Sequence, residues 1–104
     1  MAILTTLYWR DIPAQVTAKK GRKSARIQLS DRFQEAIDRA AMRAGMAGTD
    51  AYLEQWRRVE GDCGDDLEAA VAEQAARLEG EYDDQRLARM VTARGVADDP
   101  AAEA

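Results

Sequence analysis

The chain has 104 residues, enough for one compact domain, with 15 basic residues, 19 acidic residues and no histidine. The single cysteine, Cys63, excludes a thiolate-rich zinc site and a disulfide framework. The absence of histidine removes the commonest general base, so a binding function is favoured over catalysis. No stretch approaches the roughly 18 apolar residues of a membrane span, and the start lacks the pattern of a signal peptide, so we expect a cytoplasmic domain without membrane contact, metal or cofactor.

The first third of the chain has the pattern of β-strands. Residues 3–9 are rich in β-branched and aromatic types, and residues 12–18 and 24–29 alternate between apolar and polar side chains. Gly21 supplies the positive φ that a tight hairpin needs, and Pro13 belongs at a strand start or on an edge. The pattern therefore predicts a three-stranded antiparallel meander over residues 1–29.

The rest of the chain has helical spacing. Ser30 is a candidate N-cap for a helix over residues 31–44, whose apolar stripe comprises Phe33, Ile37, Ala40, Ala41 and Ala44. A second helix is predicted over residues 49–60, with one face formed by Tyr52, Leu53, Trp56 and Val59. Residues 61–65 are rich in turn-forming types, and Asp62, Asp65 and Asp66 are suited to cap a third helix. That helix begins at residue 65 and extends to about residue 94, with an interruption predicted at Gly80. Residues 95–104 have no core-forming content and predict a disordered acidic tail.

These elements predict one α+β domain over residues 1–94, a three-stranded antiparallel meander covered by two to four α-helices. The helices over 31–44 and 49–60 are the natural cover of the sheet. The helix from residue 65 has a narrow, alanine-rich seam. It either packs on the domain or projects, and in the second case residues 65–79 would form a homodimer.

Four segments carry a resemblance to a known family: residues 8–13 (Tyr-Trp-Arg-Asp-Ile-Pro), 21–22 (Gly-Arg), 32–38 (Arg-Phe-Gln-Glu-Ala-Ile-Asp), and 52–57 with Tyr-Leu and Trp-Arg. The chain resembles the small bacterial "virulence factor" domain, which is related to a module of the conserved virulence factor C proteins. The resemblance covers roughly residues 5–60. It implies an accessory subunit, because longer relatives join this module to helical repeats and stand-alone relatives lie near genes for folate- and corrinoid-dependent methyl transfer. It implies no catalytic residues.

The segment Trp9-Arg10-Asp11 is the first candidate for partner binding. In the functional interpretation, Arg10 offers a planar guanidinium to a carboxylate or phosphate and Trp9 offers a stacking surface. In the structural interpretation, which the pattern favours, Arg10 and Asp11 fix the turn between the first two strands. One of Tyr8 and Trp9 is then an aromatic anchor of the core.

The hairpin is the second candidate and the densest positive patch, comprising Lys19, Lys20, Arg22, Lys23 and Arg26. Residues 1–59 hold 11 basic and 6 acidic residues, whereas residues 60–104 hold 4 and 13. The patch would attract an acidic protein partner or nucleic-acid phosphates, or it only keeps a hairpin tip soluble. The acidic second half and the lack of an aromatic residue at the tip count against nucleic acid.

These features leave three functional hypotheses. The leading one is a non-catalytic interaction or accessory subunit that presents Trp9, Arg10 and the hairpin to a protein partner, which by resemblance belongs to one-carbon methyl-transfer metabolism. The alternatives are a nucleic-acid-binding module that uses the hairpin and a small enzyme subunit that uses Arg10 and Asp11. Cys63 is predicted to be an exposed thiol whose acidic neighbours make it a poor nucleophile.

Overall fold

The chain forms one four-stranded antiparallel sheet and four helices in the computed structural model, which describes residues 2–96. The elements are, in chain order, β1 (Ala2–Trp9), β2 (Ile12–Lys20), β3 (Lys23–Gln28), α1 (Asp31–Arg43), α2 (Asp50–Glu54), β4 (Trp56–Cys63), α3 (Leu67–Glu81) and α4 (Asp84–Thr92). The predicted α+β class is confirmed. The tail predicted over 95–104 lies outside the described residues except for Gly95 and Val96.

The predicted meander is present and forms three of the four strands. β1 pairs with β2 from Ile3 opposite Lys19 to Trp9 opposite Ile12, and β2 pairs with β3 through the tight turn at Gly21, whose φ is 59°. A register irregularity lies beside the start of β2, where Pro13 stands. Alternation along these strands directs one row of small and β-branched side chains toward the helices. This row includes Thr6, Val16 and Ala18.

The prediction of three strands is wrong, because residues 56–63 form a strand and not the end of a helix. β4 pairs with β1 along its whole length, from Trp56 opposite Trp9 to Cys63 opposite Ala2, and gives the sheet order β3-β2-β1-β4. Only Asp50–Glu54 of the predicted second helix is helical. Strand formation here is a tertiary effect, since the segment is rich in charged residues that have low intrinsic strand propensity.

The cover of the sheet also differs from the prediction. α1 and α3 lie over the sheet, whereas α2 has five residues and buries none of them. The predicted apolar stripe of α1 is buried through Phe33, Ile37, Ala40 and Ala41. The seam of α3 packs on β2 and β3 of the same chain; its buried side chains are Leu67, Val71, Ala75 and Leu78. The homodimer through 65–79 stays a prediction, but these side chains are occupied within the chain.

The predicted interruption at Gly80 is two residues too early. Gly80 lies inside α3, and the break comes at Tyr82, followed by Asp83 as the N-cap of α4. Asp83 accepts a hydrogen bond from Arg86 N–H (2.7 Å), and Asp66 caps α3 in the same way through Ala69 N–H (3.1 Å). Of the three aspartates predicted to cap the third helix, Asp66 is the one that does so.

Glu79 joins the C-terminal turn of α3 to the start of α1. Its carboxylate accepts hydrogen bonds from Ser30 N–H (2.7 Å), from Ser30 Oγ–H (2.8 Å) and from the Arg32 guanidinium (3.0 Å). Partial burial alone would raise the pKa of Glu79, but the bonds from Ser30 and Arg32 outweigh it and hold that pKa below the ordinary value. The Ser30 side chain therefore binds Glu79 of α3 and forms no capping hydrogen bond with its own helix, α1.

Glu79→Gln is expected to lower the free energy of unfolding by about 1 kcal/mol at neutral pH. A carboxylate with a lowered pKa in the folded state stabilises the fold above its unfolded pKa, and this stabilisation is lost as the pH falls through the folded value. The difference between wild type and variant should therefore shrink as the pH is lowered below 4.5, the ordinary pKa of a glutamate. Urea unfolding at neutral and at acidic pH measures it, with Glu81→Gln as the control, because the Glu81 side chain forms an exposed ion pair with Arg77. A difference that does not change with pH would contradict this role.

Among the described residues, no helix is both long enough and apolar enough to cross a membrane.

Candidate partner-binding site

Trp9 is fully buried where β1 ends. It anchors a group of side chains that we name the corner: Trp9, Arg10, Asp11, Tyr52, Trp56 and Arg57. Its indole N–H donates to the carbonyl of Tyr52 (2.9 Å), and the two rings stack with centroids 5.6 Å apart. Trp56 meets Tyr52 edge-on at 6.0 Å. The structural interpretation of Trp9 is therefore the one that the geometry supports, since no part of this ring is exposed to a partner.

Arg10 binds three separate segments of its own chain. Its guanidinium donates to the side-chain oxygen of Gln55 (3.2 Å), to the carbonyl of Arg94 (2.9 Å) and to the sulfur of Met46 (3.3 Å), and it lies 5.4 Å from the Trp9 ring. The backbone of Arg10 is left-handed, with φ of 54°. Because its donors bind these three internal acceptors, the Arg10 guanidinium holds the three segments together and is not oriented to bind an external anion.

Asp11 and Arg57 complete the same corner. The carboxylate of Asp11 accepts from the Arg57 guanidinium (2.8 Å), while Arg57 Nε donates to the carbonyl of Arg10 (2.8 Å) and its guanidinium lies 4.8 Å from the Tyr8 ring. This contact could not be predicted, because residue 57 was assigned to a helix, whereas β4 places Arg57 opposite Tyr8.

The hairpin differs from the corner because most of its basic side chains are exposed and form no ion pair within residues 2–96. Lys20 forms an ion pair with Asp65 (2.9 Å), and this hydrogen bond lowers the pKa of the Asp65 carboxyl. The other four basic residues are exposed, and none of them forms an ion pair with a carboxylate of residues 2–96. We name these four the hairpin cluster: Lys19, Arg22, Lys23 and Arg26.

Part of the hairpin cluster continues onto the open face of the sheet, which lies opposite the helices. Arg26 stands opposite Thr17 in the ladder, and Lys19 follows two residues along on the same face. A shallow cavity of about 310 Å³ on this face is lined by Thr5, Leu7, Gln15, Thr17, Lys19, Arg58 and Glu60. The sequence could not place Arg58 here, because this position depends on the pairing of β4 with β1.

Cys63 is half-buried and not exposed as predicted. It lies in the wall of a groove of about 430 Å³ between β4 and α3, beside Leu4 and Ala70. Among the described residues, no group of three or more cysteine and carboxylate side chains is arranged to hold a metal ion.

Comparison with known proteins identifies one family. A family model described as "Virulence factor" matches residues 7–91. The match includes the corner, the hairpin cluster, β4 and α3, and so extends well beyond the residues 5–60 that carried the resemblance. No curated protein and no solved structure matches the chain.

Proposed function

The chain belongs to the virulence factor family, and from this premise we propose that it is a non-catalytic interaction domain or accessory subunit that binds an acidic surface of a protein partner. The hairpin cluster is the observation that carries the proposal. Four basic side chains stand exposed at one end of the sheet without a carboxylate partner among the described residues.

The contrast with the corner supports an interaction role. Arg10 and Asp11, the residues that an enzyme subunit would use, are engaged with Gln55, Arg94 and Arg57. An arginine that recognises an external carboxylate must present free donors in a planar fork. The hairpin cluster meets this condition, whereas Arg10 would have to break its contacts first.

The choice of a protein over nucleic acid follows from the charges around the tip. Asp65 lies against Lys20, and Asp66 is exposed next to it, so the patch is flanked by negative groups that would repel a phosphate backbone. The tip also has no aromatic ring on which a base could stack. A folded partner with discrete carboxylates can avoid these aspartates, so it fits the patch better than a uniform polyanion.

The resemblance directs the choice of partner to the enzymes of folate- and corrinoid-dependent methyl transfer. We propose such an enzyme subunit as the partner and the cytoplasm as the location, since the single cysteine suits a reducing compartment.

Reversing two charges of the hairpin cluster with Arg22→Glu and Lys23→Glu should weaken binding to the partner at least about tenfold. Calorimetric titration with purified methyl-transfer subunits measures the affinity. The matched control is Arg39→Glu with Arg43→Glu on the exposed side of α1, which changes the net charge equally and should leave the affinity unchanged.

Equal losses in both variants would mean that only net charge matters and would overturn the proposed surface. A salt titration against single- and double-stranded oligonucleotides tests the alternative. Binding that weakens steeply with salt and depends on Arg22 and Lys23 would replace the protein partner by nucleic acid.

A further inference from the structure

β4 is an edge strand of eight residues, and within residues 2–96 no element pairs with its outer side. Gln55 immediately precedes β4, and its carbonyl accepts a hydrogen bond from Arg10 N–H (3.0 Å), so Arg10 and Gln55 form a hydrogen-bonded pair of the β1–β4 ladder. Hydrogen-bonded and non-bonded pairs alternate along an antiparallel ladder. The pair Thr6–Val59 is therefore bonded, and the backbone N–H and C=O groups of Arg58 and Glu60 point away from β1.

The side chains of this edge have opposite charges in its two halves. The basic residues Arg57 and Arg58 come first, and the acidic residues Glu60 and Asp62 follow. An antiparallel copy of the same strand would therefore place basic side chains opposite acidic ones. The other edge, β3, has only basic charges, Lys23 and Arg26, and would repel its own copy.

We propose that a second copy of this chain binds along β4, so that two sheets join into one antiparallel sheet of eight strands around a two-fold axis. The axis must be perpendicular to the sheet, because only this operation sets two copies of one strand side by side and antiparallel. It leaves the helices of both copies on the same side of the joined sheet.

One register satisfies both the backbone and the charges. With Val59 opposite Val59 of the second copy, Arg58 stands opposite Glu60 at two symmetric positions, and the outward backbone groups of these pairs bond to each other. All four side chains lie on the open face of the sheet, since Arg58 pairs with Leu7 and Glu60 with Thr5. If one strand slid by two residues, Glu60 would stand opposite Glu60 of the second copy, and the repulsion of the two like charges disfavours that register.

The exposure of Val59 agrees with this arrangement. It is 45 % exposed on the side of the sheet that the helices cover, because α3 lies over β2 and β3 and leaves the β4 side open. In the proposed dimer the two Val59 side chains meet at the axis and shield each other from water. This interface leaves the hairpin cluster free, so the proposal is independent of the proposed function.

A charge swap tests the register. Arg58→Glu and Glu60→Arg, each alone, should raise the dimer dissociation constant at least about tenfold in sedimentation equilibrium, and the double variant should restore it. Arg39→Glu on the exposed side of α1 is the control and should leave the dimer unchanged. A wild-type chain that sediments as a monomer throughout, or a double variant that dimerises no better than the single ones, would overturn the proposal.

A cysteine at the axis tests the geometry. In a Cys63→Ser background, Val59→Cys should form an intermolecular disulfide under mild oxidation, because opposite residues of a non-bonded pair have Cα atoms about 4.5 Å apart. Ile3→Cys in the same background is the control, since Ile3 is equally exposed (42 %) but lies on β1, away from the axis. Circular dichroism checks that both variants fold. Equal cross-linking of the two would refute the two-fold axis at Val59.

Discussion

Replacing Trp9 by alanine should lower the free energy of unfolding by about 3–5 kcal/mol, the largest loss that we expect from a single substitution among the described residues. Trp9 is the largest side chain that is fully buried. Alanine would leave a cavity between β1 and α2, remove the stacking on Tyr52 and leave the Tyr52 carbonyl without its indole donor. A domain of this size has a stability of the same order, so the variant should be largely unfolded at 37 °C.

Trp9→Phe separates the parts of this effect. Phenylalanine keeps a ring against Tyr52 but loses the hydrogen bond and some volume, so we expect an intermediate loss of about 1–3 kcal/mol. Trp56→Ala is the control, because Trp56 is only half-buried and meets Tyr52 edge-on. Urea unfolding followed by circular dichroism measures all three. If Trp9→Ala cost no more than Trp56→Ala, the corner would not be the anchor of the fold.

Patterns within single sequence segments correctly predicted the elements that each bury one apolar face, namely β2, β3 and α1, and the hairpin turn. Alternation gave β2 and β3, the glycine at 21 gave the hairpin, and the spacing of Phe33 and Ile37 gave α1. These signals work because each element buries one face, and the period of its apolar residues reports that face. Where the apolar face was well populated, prediction and structure agree.

The fourth strand shows the limit of this reasoning. As an edge strand, β4 buries little of either face, so its sequence has no alternation to detect, and the row Tyr52, Trp56 and Val59 imitates a helical stripe. The strand exists because β1 offers a free ladder along its length, which is a long-range condition. The predicted position of the break between α3 and α4 was wrong for a similar reason. Tyr82 is buried against Phe33, and this tertiary contact ends α3.

The candidate site was predicted in part for the same reason. The sequence identified Arg10 and Asp11 as notable, and their proximity in sequence was visible, but their partners Gln55, Arg57 and Arg94 lie more than 40 residues away. The hairpin cluster was easier to predict. Its charges follow each other along one turn, so exposure is the expected state without any knowledge of the rest of the fold.

The residues that carried the family resemblance mostly build the corner. Trp9, Arg10 and Asp11 come from one segment, and Tyr52, Trp56 and Arg57 come from another; the two segments meet through stacking, hydrogen bonds and an ion pair. The resemblance therefore describes a folding unit more than a binding site. Only the segment Gly-Arg at 21–22 lies at the exposed tip, where we propose that the partner binds.

Replacing Gly95 by alanine should lower the free energy of unfolding by about 2–4 kcal/mol, although the sequence assigned this residue to a disordered tail. Gly95 is buried, its carbonyl accepts from Asp11 N–H (2.9 Å), and its φ is 91°. A Cβ at this position would lie 2.6 Å from the Trp9 ring, closer than carbon atoms approach. The ring is held by Tyr52 and cannot move away without losing its hydrogen bond.

Gly45→Ala is the matched control for this variant. Gly45 also has a positive φ, 72°, but a Cβ added there would meet no neighbouring group within 4 Å, so alanine costs only the backbone strain of about 1 kcal/mol. The difference between the two variants in urea unfolding isolates the contact with Trp9. Because that contact closes the corner, Gly95→Ala combined with Trp9→Phe should lose less than the sum of the two single variants. Equal losses at Gly95 and Gly45 would show that residue 95 does not press on the ring, and the folded domain would then end before it.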